Sequence, residues 1–304
     1  MIFHRSHLPA VIAFLALLTL PLRAGGDPGV PYRAVQGQAL FIPLAGAAGA
    51  QGVNMTGPFR TSLLCSDAAC YALVAVPMDA KPGRYADRLT YGDAGGSTGV
   101  VDIQFNVTSG TFPLERFSLP EAFLTFTKPV LKRVRQEQAL LRSALNRRGE
   151  PVPLTEPFLL PVKGVVKAPF GARRSINGKP PTRHYGVDLR CASGDPVRAT
   201  QDGTVALTGD YYLNGRVVVI NHGDLLSSSY NHLSAIRVTT GQPVRRGDVI
   251  GLCGATGRAT GPHLHFGISI GQTPVNPLAF IAATAAPPAL PAAEESVVSG
   301  QGHQ

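Results

Sequence analysis

Glycine and proline punctuate this chain so densely, at 34 and 26 of 304 residues, that few stretches are free to run as long helices. Each one favours a turn or interrupts a regular segment. The natural outcome is an architecture of many short strands, mainly β, rather than a helix bundle. The chain is 44% hydrophobic and 15% charged, a balance that supports packed cores and argues against disorder throughout. Its length suits two modest domains or one large one.

Apolar patterning divides the chain. Residues 27–112 read as an N-terminal all-β domain, sandwich-like in its succession of short strands. Val101, Ile103, Phe105 and Val107 alternate with Asp102, Gln104 and Asn106, the period of two expected of a strand with one buried face. Runs at 39–44 and 71–76 are further apolar segments. No reactive constellation falls in this domain, which suits binding, spacing or masking better than chemistry.

Residues 113–162 read as a helical connector and linker. Thr127 is placed to cap a helix, Pro129 is tolerated in its first turn, and Val130, Val134, Leu141 and Leu145 form one stripe. Arg147 and Arg148 suit its C-terminal dipole and Gly149 its end, while Lys132, Arg133 and Arg135 read as its solvated face. Four prolines between 149 and 162 predict an extended linker. Residues 163–281 return to short apolar runs, at 204–207, 217–220, 249–252 and 264–270. The Ala/Pro stretch and polar end at 282–304 read as a disordered tail, with His303 inert in it.

Residues 1–24 have the layout of a signal peptide, with Arg5 ahead of an apolar run from Leu8 to Leu22 and the small residue Ala24 before Gly25. The run falls short of the ~20 residues of a spanning helix, and an uncleaved anchor is the alternative. The expectation is therefore an exported chain, periplasmic, with secretion or membrane anchoring left open and no stable membrane insertion after leader cleavage. The formal charge of +9 drops by two if Arg5 and Arg23 leave. Outside the cytoplasm a basic surface suits an anionic membrane or wall polymer, and no nucleic-acid motif accompanies it.

Four cysteines, an even number, suggest disulfides in an oxidising compartment. The simplest pairing is Cys65 with Cys70 and Cys191 with Cys253, with four free thiols as the alternative. There is no C-x-x-C pair, which disfavours a cysteine zinc knuckle.

Chemistry concentrates late in the chain. Five of the eight histidines fall between His184 and His265, and none lies between His7 and His184. Two elements stand out, His184-Tyr-Gly-Val-Asp188 and His263-Leu-His265. Zinc accepts imidazole nitrogen and carboxylate oxygen, and a catalytic site keeps three protein ligands and one open position. Residues two apart in a strand share a face, so His263 and His265 can look into one cavity, one on a metal and the other beside its water. Each piece alone has a bland reading as a chance spacing or a pair of ordinary core histidines.

The order of motifs from His184 to Pro277 resembles the lysostaphin-like (LytM-type) zinc endopeptidases that cut peptidoglycan peptides. The resemblance runs through His184-x-Gly186-x-Asp188, Gly194-Asp195-Pro196-Val197, Asp202-Gly203-Thr204-Val205 and Tyr230-Asn231-His232-Leu233. It continues with Gly247-Asp248-x-Ile250-Gly251, Thr256-Gly257-x-x-Thr260-Gly261-Pro262-His263-Leu264-His265-Phe266 and Val275-Asn276-Pro277. The lead-in Ala168-Pro169-Phe170-Gly171-x-Arg173 also fits, and the preceding β segment and helix are similar to the N-terminal region of some exported Gram-negative members. The resemblance implies an antiparallel β-sheet peptidase domain with a zinc groove at 163–281. It implies one zinc ion held by His184, Asp188 and His265, with His232 and His263 as the non-ligand histidines that move protons, and peptidoglycan as the partner. His222, in Asn221-His222-Gly223, reads as structural. The segment 225–229 and Asn231 depart mildly from the family pattern, at positions expected on the groove wall.

Two other functions compete. A non-catalytic wall-binding protein or activator would have lost metal ligands, whereas every one is present here. A biotin- or lipoyl-type carrier is suggested by Val244-x-x-Gly247-Asp248-x-Ile250-Gly251, but such a carrier needs a lysine on a hairpin and none follows Lys179. A pure metal-binding or interaction protein is the remaining alternative.

Overall fold

The computed structural model of the chain describes residues 31–45, 47, 50–93, 98–118, 125–149 and 152–289. The expected leader and the tail beyond 289 lie outside the described residues. Seven strands come first: β1 (Tyr32–Val35), β2 (Ala39–Leu44), β3 (Ala50–Met55), β4 (Arg60–Cys65), β5 (Cys70–Ala75), β6 (Gly83–Asp93) and β7 (Thr98–Thr108). Strand β8 (Leu114–Phe117) and helix α1 (Lys128–Leu145) follow. Next come β9 (Val166–Ala168), β10 (Arg173–Ile176), β11 (Thr182–Arg183), β12 (Val187–Leu189), β13 (Pro196–Arg198), β14 (Gly203–Tyr211) and β15 (Gly215–Asn221). The chain closes through β16 (Leu226–Leu233), β17 (Ala235–Ile236), β18 (Pro243–Val244), β19 (Val249–Leu252), β20 (Leu264–Ile270), β21 (Thr273–Val275) and α2 (Pro277–Ala285). The fold is mainly β, as the turn-rich composition requires.

The first seven strands form two sheets, β1-β7-β6-β3 and β2-β5-β4, with β1 parallel to β7. The alternation in β7 sends Ile103, Phe105 and Val107 into the core between them, against Leu40, Ile42, Ala72 and Val74. Strand β5 is buried along its whole length. Its even-numbered residues face that sandwich core, while Tyr71, Leu73 and Ala75 face the other way and pack into the core of the later strands with Phe158, Phe266 and Phe280. A strand covered on both faces reads as a continuous apolar run, which explains why 71–76 shows no alternation. The β2-β5-β4 sheet is thus a shared middle layer. The N-terminal strands and the histidine-bearing strands are joined by packed hydrophobic surface, and the carboxylate of Asp224 reinforces it by accepting from the Leu63 N–H at 2.9 Å.

The later strands build one antiparallel sheet in the order β18-β14-β15-β16-β20-β12-β9, with β21 on the flank of β20. A small sheet β13-β19-β17 packs beside it. A third sheet, β11-β10-β8, ties the connector to this region, since β8 runs parallel to β10 with Glu115 opposite Arg174. The helical reading of 113–162 held no strand at this point. Backbone pairing with a partner about sixty positions away cannot be seen in four residues of sequence.

Helix α1 presents the C-terminal half of the expected stripe to β14 and β15, where Leu141 and Leu145, with Ala144 beside them, meet Ala206, Tyr211, Val217 and Val219. Thr127 is the N-cap residue, without a side-chain cap bond, and one end is corrected: the helix stops at Leu145 with Asn146 as its C-cap, four residues before Gly149. The freed Arg148 instead pairs with the buried Asp224 at 2.5 Å. Arg133 is not merely solvated, since it pairs with Glu137 at 2.6 Å and donates to the Asp210 carbonyl at 3.1 Å.

The proline-rich linker is extended but anchored, with Phe158 buried and the Leu154 N–H donating to the Cys65 carbonyl at 2.6 Å. Both simplest disulfides form, Cys65–Cys70 across the β4–β5 hairpin and Cys191–Cys253 over a separation of 62 residues. By loop-closure entropy a cross-link of the second span contributes about 4 kcal/mol. Helix α2 starts at Asn276-Pro277, where Asn276 Oδ1 accepts from the Leu278 and Ala279 N–H groups. It carries order to Ala285, past the position 282 expected to begin a tail. Among the described residues no helix is long and apolar enough to cross a membrane.

Candidate metal centre

Three strands and one turn bring the candidate ligands together. Asp188 lies in the middle of β12 and His265 directly opposite it in β20. His184 follows β11, four residues before Asp188. Gly186 between them is required by space, because a Cβ there would meet the Phe266 carbonyl at 2.5 Å and His265 Nε2 at 2.7 Å. The resulting triangle is tight: His184 Nε2, His265 Nδ1 and Asp188 Oδ1 lie 2.9 Å from one another. They form the His/Cys/Asp/Glu group able to hold a metal ion among the described residues.

The donor set of this triangle fits a cation. His184 Nδ1 donates to the Pro169 carbonyl at 2.8 Å, which orients the ring with Nε2 facing the carboxylate. Burial alone would raise the Asp188 carboxyl, but the imidazoles of His184 and His265 at hydrogen-bond distance outweigh it and hold the group far below the usual carboxylate range. Burial also pushes the His265 imidazole down. Imidazole nitrogens converging on an ionised carboxylate are donor types that a divalent metal takes.

Two further histidines stand over the same cleft. His263 precedes β20 and is held by a bridge to Gly254; its Nδ1 donates to the Gly261 carbonyl at 2.8 Å, and its Nε2 reaches to 3.9 Å from Asp188 Oδ1. His232, next to the end of β16, has a left-handed φ of 64°, an uncommon conformation for a non-glycine residue. Its Nδ1 donates to the Thr256 carbonyl at 2.9 Å, and burial pushes its pKa down to about 4. The rings of His232 and His263 are 4.8 Å apart. In both rings Nδ1 is tied from behind to a backbone carbonyl, which leaves Nε2 as the ring nitrogen not engaged there.

All five groups line a cleft of about 720 Å³, walled by β8, α1, the β14–β15 turn and the 258–260 loop. Another hollow, of about 590 Å³, lies around Arg116, Arg173 and Lys179 and contains no histidine. Arg173, part of the family-like lead-in, faces that hollow. Its neighbour Arg174 points into the cleft and donates from Nη2 to Asp188 Oδ2 at 2.7 Å. The sequence reading missed Arg174, together with Glu115 and the three orienting carbonyls of Pro169, Thr256 and Gly261. Strand alternation places one of two adjacent arginines inward, but which one depends on the register of β10, which four residues do not reveal.

Of the two departures from the family pattern, Asn231 does line the cleft, opposite His265. The 225–229 segment does not; Ser227 and Ser228 are fully buried between β15 and β20. His222 is buried outside the cleft, with Nδ1 donating to the Asp202 carbonyl and Nε2 2.7 Å from Ser228 Oγ. Burial pushes its pKa down to about 4 from 6.5. A depressed folded-state pKa means that the unfolded chain takes up the proton first as pH falls. Its contribution is therefore complete above pH 6.5 and is lost as pH falls toward 4, by about 3 kcal/mol in all. Urea midpoints should drop between pH 6.5 and 4.5, and the drop should shrink in His222→Gln. An identical drop in both proteins would exclude His222 as its source.

Residues 182–277 match the family model described as Peptidase family M23. Among curated proteins, the DD-carboxypeptidase/endopeptidase Mpg of Neisseria meningitidis serogroup B is 38% identical over 136 residues, covering 45% of this chain and 31% of that protein. The peptidoglycan DD-endopeptidase ShyA of Vibrio cholerae serotype O1 is 46% identical over 93 residues, covering 31% of this chain and 22% of that protein. The matches thus span about a third or less of these relatives' length. A solved structure from Pseudomonas aeruginosa assigned to peptidase M23 is 30% identical, covers 83% of this chain and 95% of its own, and superposes with a TM-score of 0.64.

Proposed function

The chain belongs to peptidase family M23, and from that premise we propose that it is an exported zinc endopeptidase hydrolysing stem-peptide crosslinks of peptidoglycan. The observation that carries the reading is the 2.9 Å triangle of His184, Asp188 and His265 with two locked histidines beside it in one cleft. The relatives' names, DD-endopeptidase and DD-carboxypeptidase/endopeptidase, point to peptide crosslinks as the substrate. In this reading residues 1–24 are the leader, 27–112 the N-terminal β domain and 163–281 the catalytic unit.

His184, Asp188 and His265 would hold the zinc, which when bound supplies a polarised scissile carbonyl and an activated water. The chain's own contribution is proton handling. His263 and His232 both donate Nδ1–H to a carbonyl, of Gly261 and Thr256, which leaves Nε2 as the ring nitrogen available for proton exchange. One can take a proton at Nε2 as the bond to carbon forms, and the other, protonated there, can stabilise the oxyanion or deliver to the leaving amine. The locked rings keep this geometry without reorganisation during the reaction.

The test is incubation of purified sacculi with the leader-free protein, followed by mass analysis of what is released. Uncrosslinked peptides, about one zinc per chain and loss of activity with chelator are expected. Cleaved glycan strands would refute the bond assignment, and full activity of metal-free protein would refute zinc.

A further inference from the structure

Asp188 offers two carboxylate oxygens, and the structure treats them differently. Oδ1 faces both imidazoles at 2.9 Å, whereas Oδ2 accepts from Arg174 Nη2 at 2.7 Å. The same guanidinium donates from Nε to Glu115 Oε2 at 3.2 Å. Glu115 sits on β8, directly opposite Arg174 in the parallel β8–β10 pairing. An arginine fork engaged at both ends has little rotational freedom left, and Arg174 is only 24% exposed at its side chain.

We propose that Arg174 is a positioning residue which holds Asp188 Oδ2 so that Oδ1 alone is presented to the metal, and that Glu115 fixes Arg174 in that pose. This rests on the zinc reading above. Three observations favour a role at the metal over a plain tie between strands. The contact is made to the ligand carboxylate itself. It falls on the oxygen that the histidines do not use. The arginine reaches it from inside the cleft, whose lining includes Arg174, Glu115 and Asp188 together. A partner that occupies one oxygen of a ligating carboxylate fixes its rotation and tunes its donor strength. Both Glu115 and Arg174 lie outside residues 182–277, so the metal centre of this chain is completed by segments that the family match does not include. Strand β8 thereby links the connector after the N-terminal strands to ligand geometry.

Zinc affinity of the full leader-free chain, measured by competition with a chromophoric chelator, tests this without reference to turnover. Arg174→Gln should weaken zinc roughly 10- to 100-fold, Arg174→Lys should recover part of the loss, and Glu115→Gln should weaken zinc by a few-fold. With cobalt(II) substituted at saturation, the visible spectrum of Arg174→Gln should differ from wild type, which a purely structural tie would not cause. If Arg174→Gln fails to fold, the isosteric Glu115→Gln still decides. Wild-type affinity in the variants, with an unchanged cobalt spectrum, overturns the inference and leaves the peptidase reading intact. A wild-type chain that binds no zinc overturns both.

Discussion

His232→Ala should lower turnover by about two to four orders of magnitude while zinc content stays at the wild-type level. The range is that of a single general acid–base group. Metal should be retained because His232 stands apart from the three donor atoms: its ring centroid is 6.2 Å from that of His265, and its Nδ1 donates backward to the Thr256 carbonyl. Two features prepare it for proton transfer. Burial pushes its pKa down to about 4, so it is neutral near pH 7. Its left-handed backbone turns the side chain toward His263 at the end of a strand that would otherwise continue straight. His232→Gln, which keeps a polar side chain but cannot take a proton, should be nearly as inactive. Metal analysis after dialysis beside a crosslinked-peptide assay checks this; metal loss equal to that of a ligand variant would remove His232 from proton transfer.

His265→Ala should abolish both metal retention and hydrolysis. It removes one of the three converging donors, and the residue opposite it on the other side in the sheet from Asp188 is Asn231, which is neither imidazole nor carboxylate. Loss of affinity should be on the order of a thousandfold or more, given the binding free energies of ~10–16 kcal/mol typical of full zinc sites. The fold should survive, because the sheet core beneath is apolar and closed, with Leu264 and Phe266 fully buried. What should vanish is the extra thermal stability gained on adding zinc, which for a ligand at a hundred times its Kd is ~2.7 kcal/mol. Thermal melts with and without zinc read this directly. A zinc-dependent shift of wild-type size in His265→Ala would mean that the metal sits elsewhere.

The candidate site was partly legible in the chain because its pieces are local. His184-x-Gly186-x-Asp188 and His263-x-His265 are short spacings, and the glycine has a steric reason that can be stated once the fold is known. Which of His263 and His265 joins the triangle with Asp188 was not legible from spacing. It follows from register: His265 is paired across from Asp188, whereas His263 falls before the strand and is turned by Gly254 and Gly261. Arg174 was invisible for a related reason. It acts on a residue fourteen positions away through a strand whose inward face is set by pairing with β8.

What the sequence determined by itself is the class of fold and the chemistry available. Frequent glycine and proline, short apolar runs and the alternation in 101–107 demand many strands, because local backbone preference and side-chain period act over a few residues. Histidine placement and the family-like order of motifs likewise point toward a metal-centred chemistry. Tertiary structure alone decided the rest. It made β5 a middle layer with Leu73 and Val74 buried in two different cores, since burial of both faces depends on what the rest of the chain stacks against them. It also chose which oxygen of Asp188 faces the histidines and which faces Arg174. That choice belongs to distances between segments far apart in the chain, which no local rule of sequence encodes.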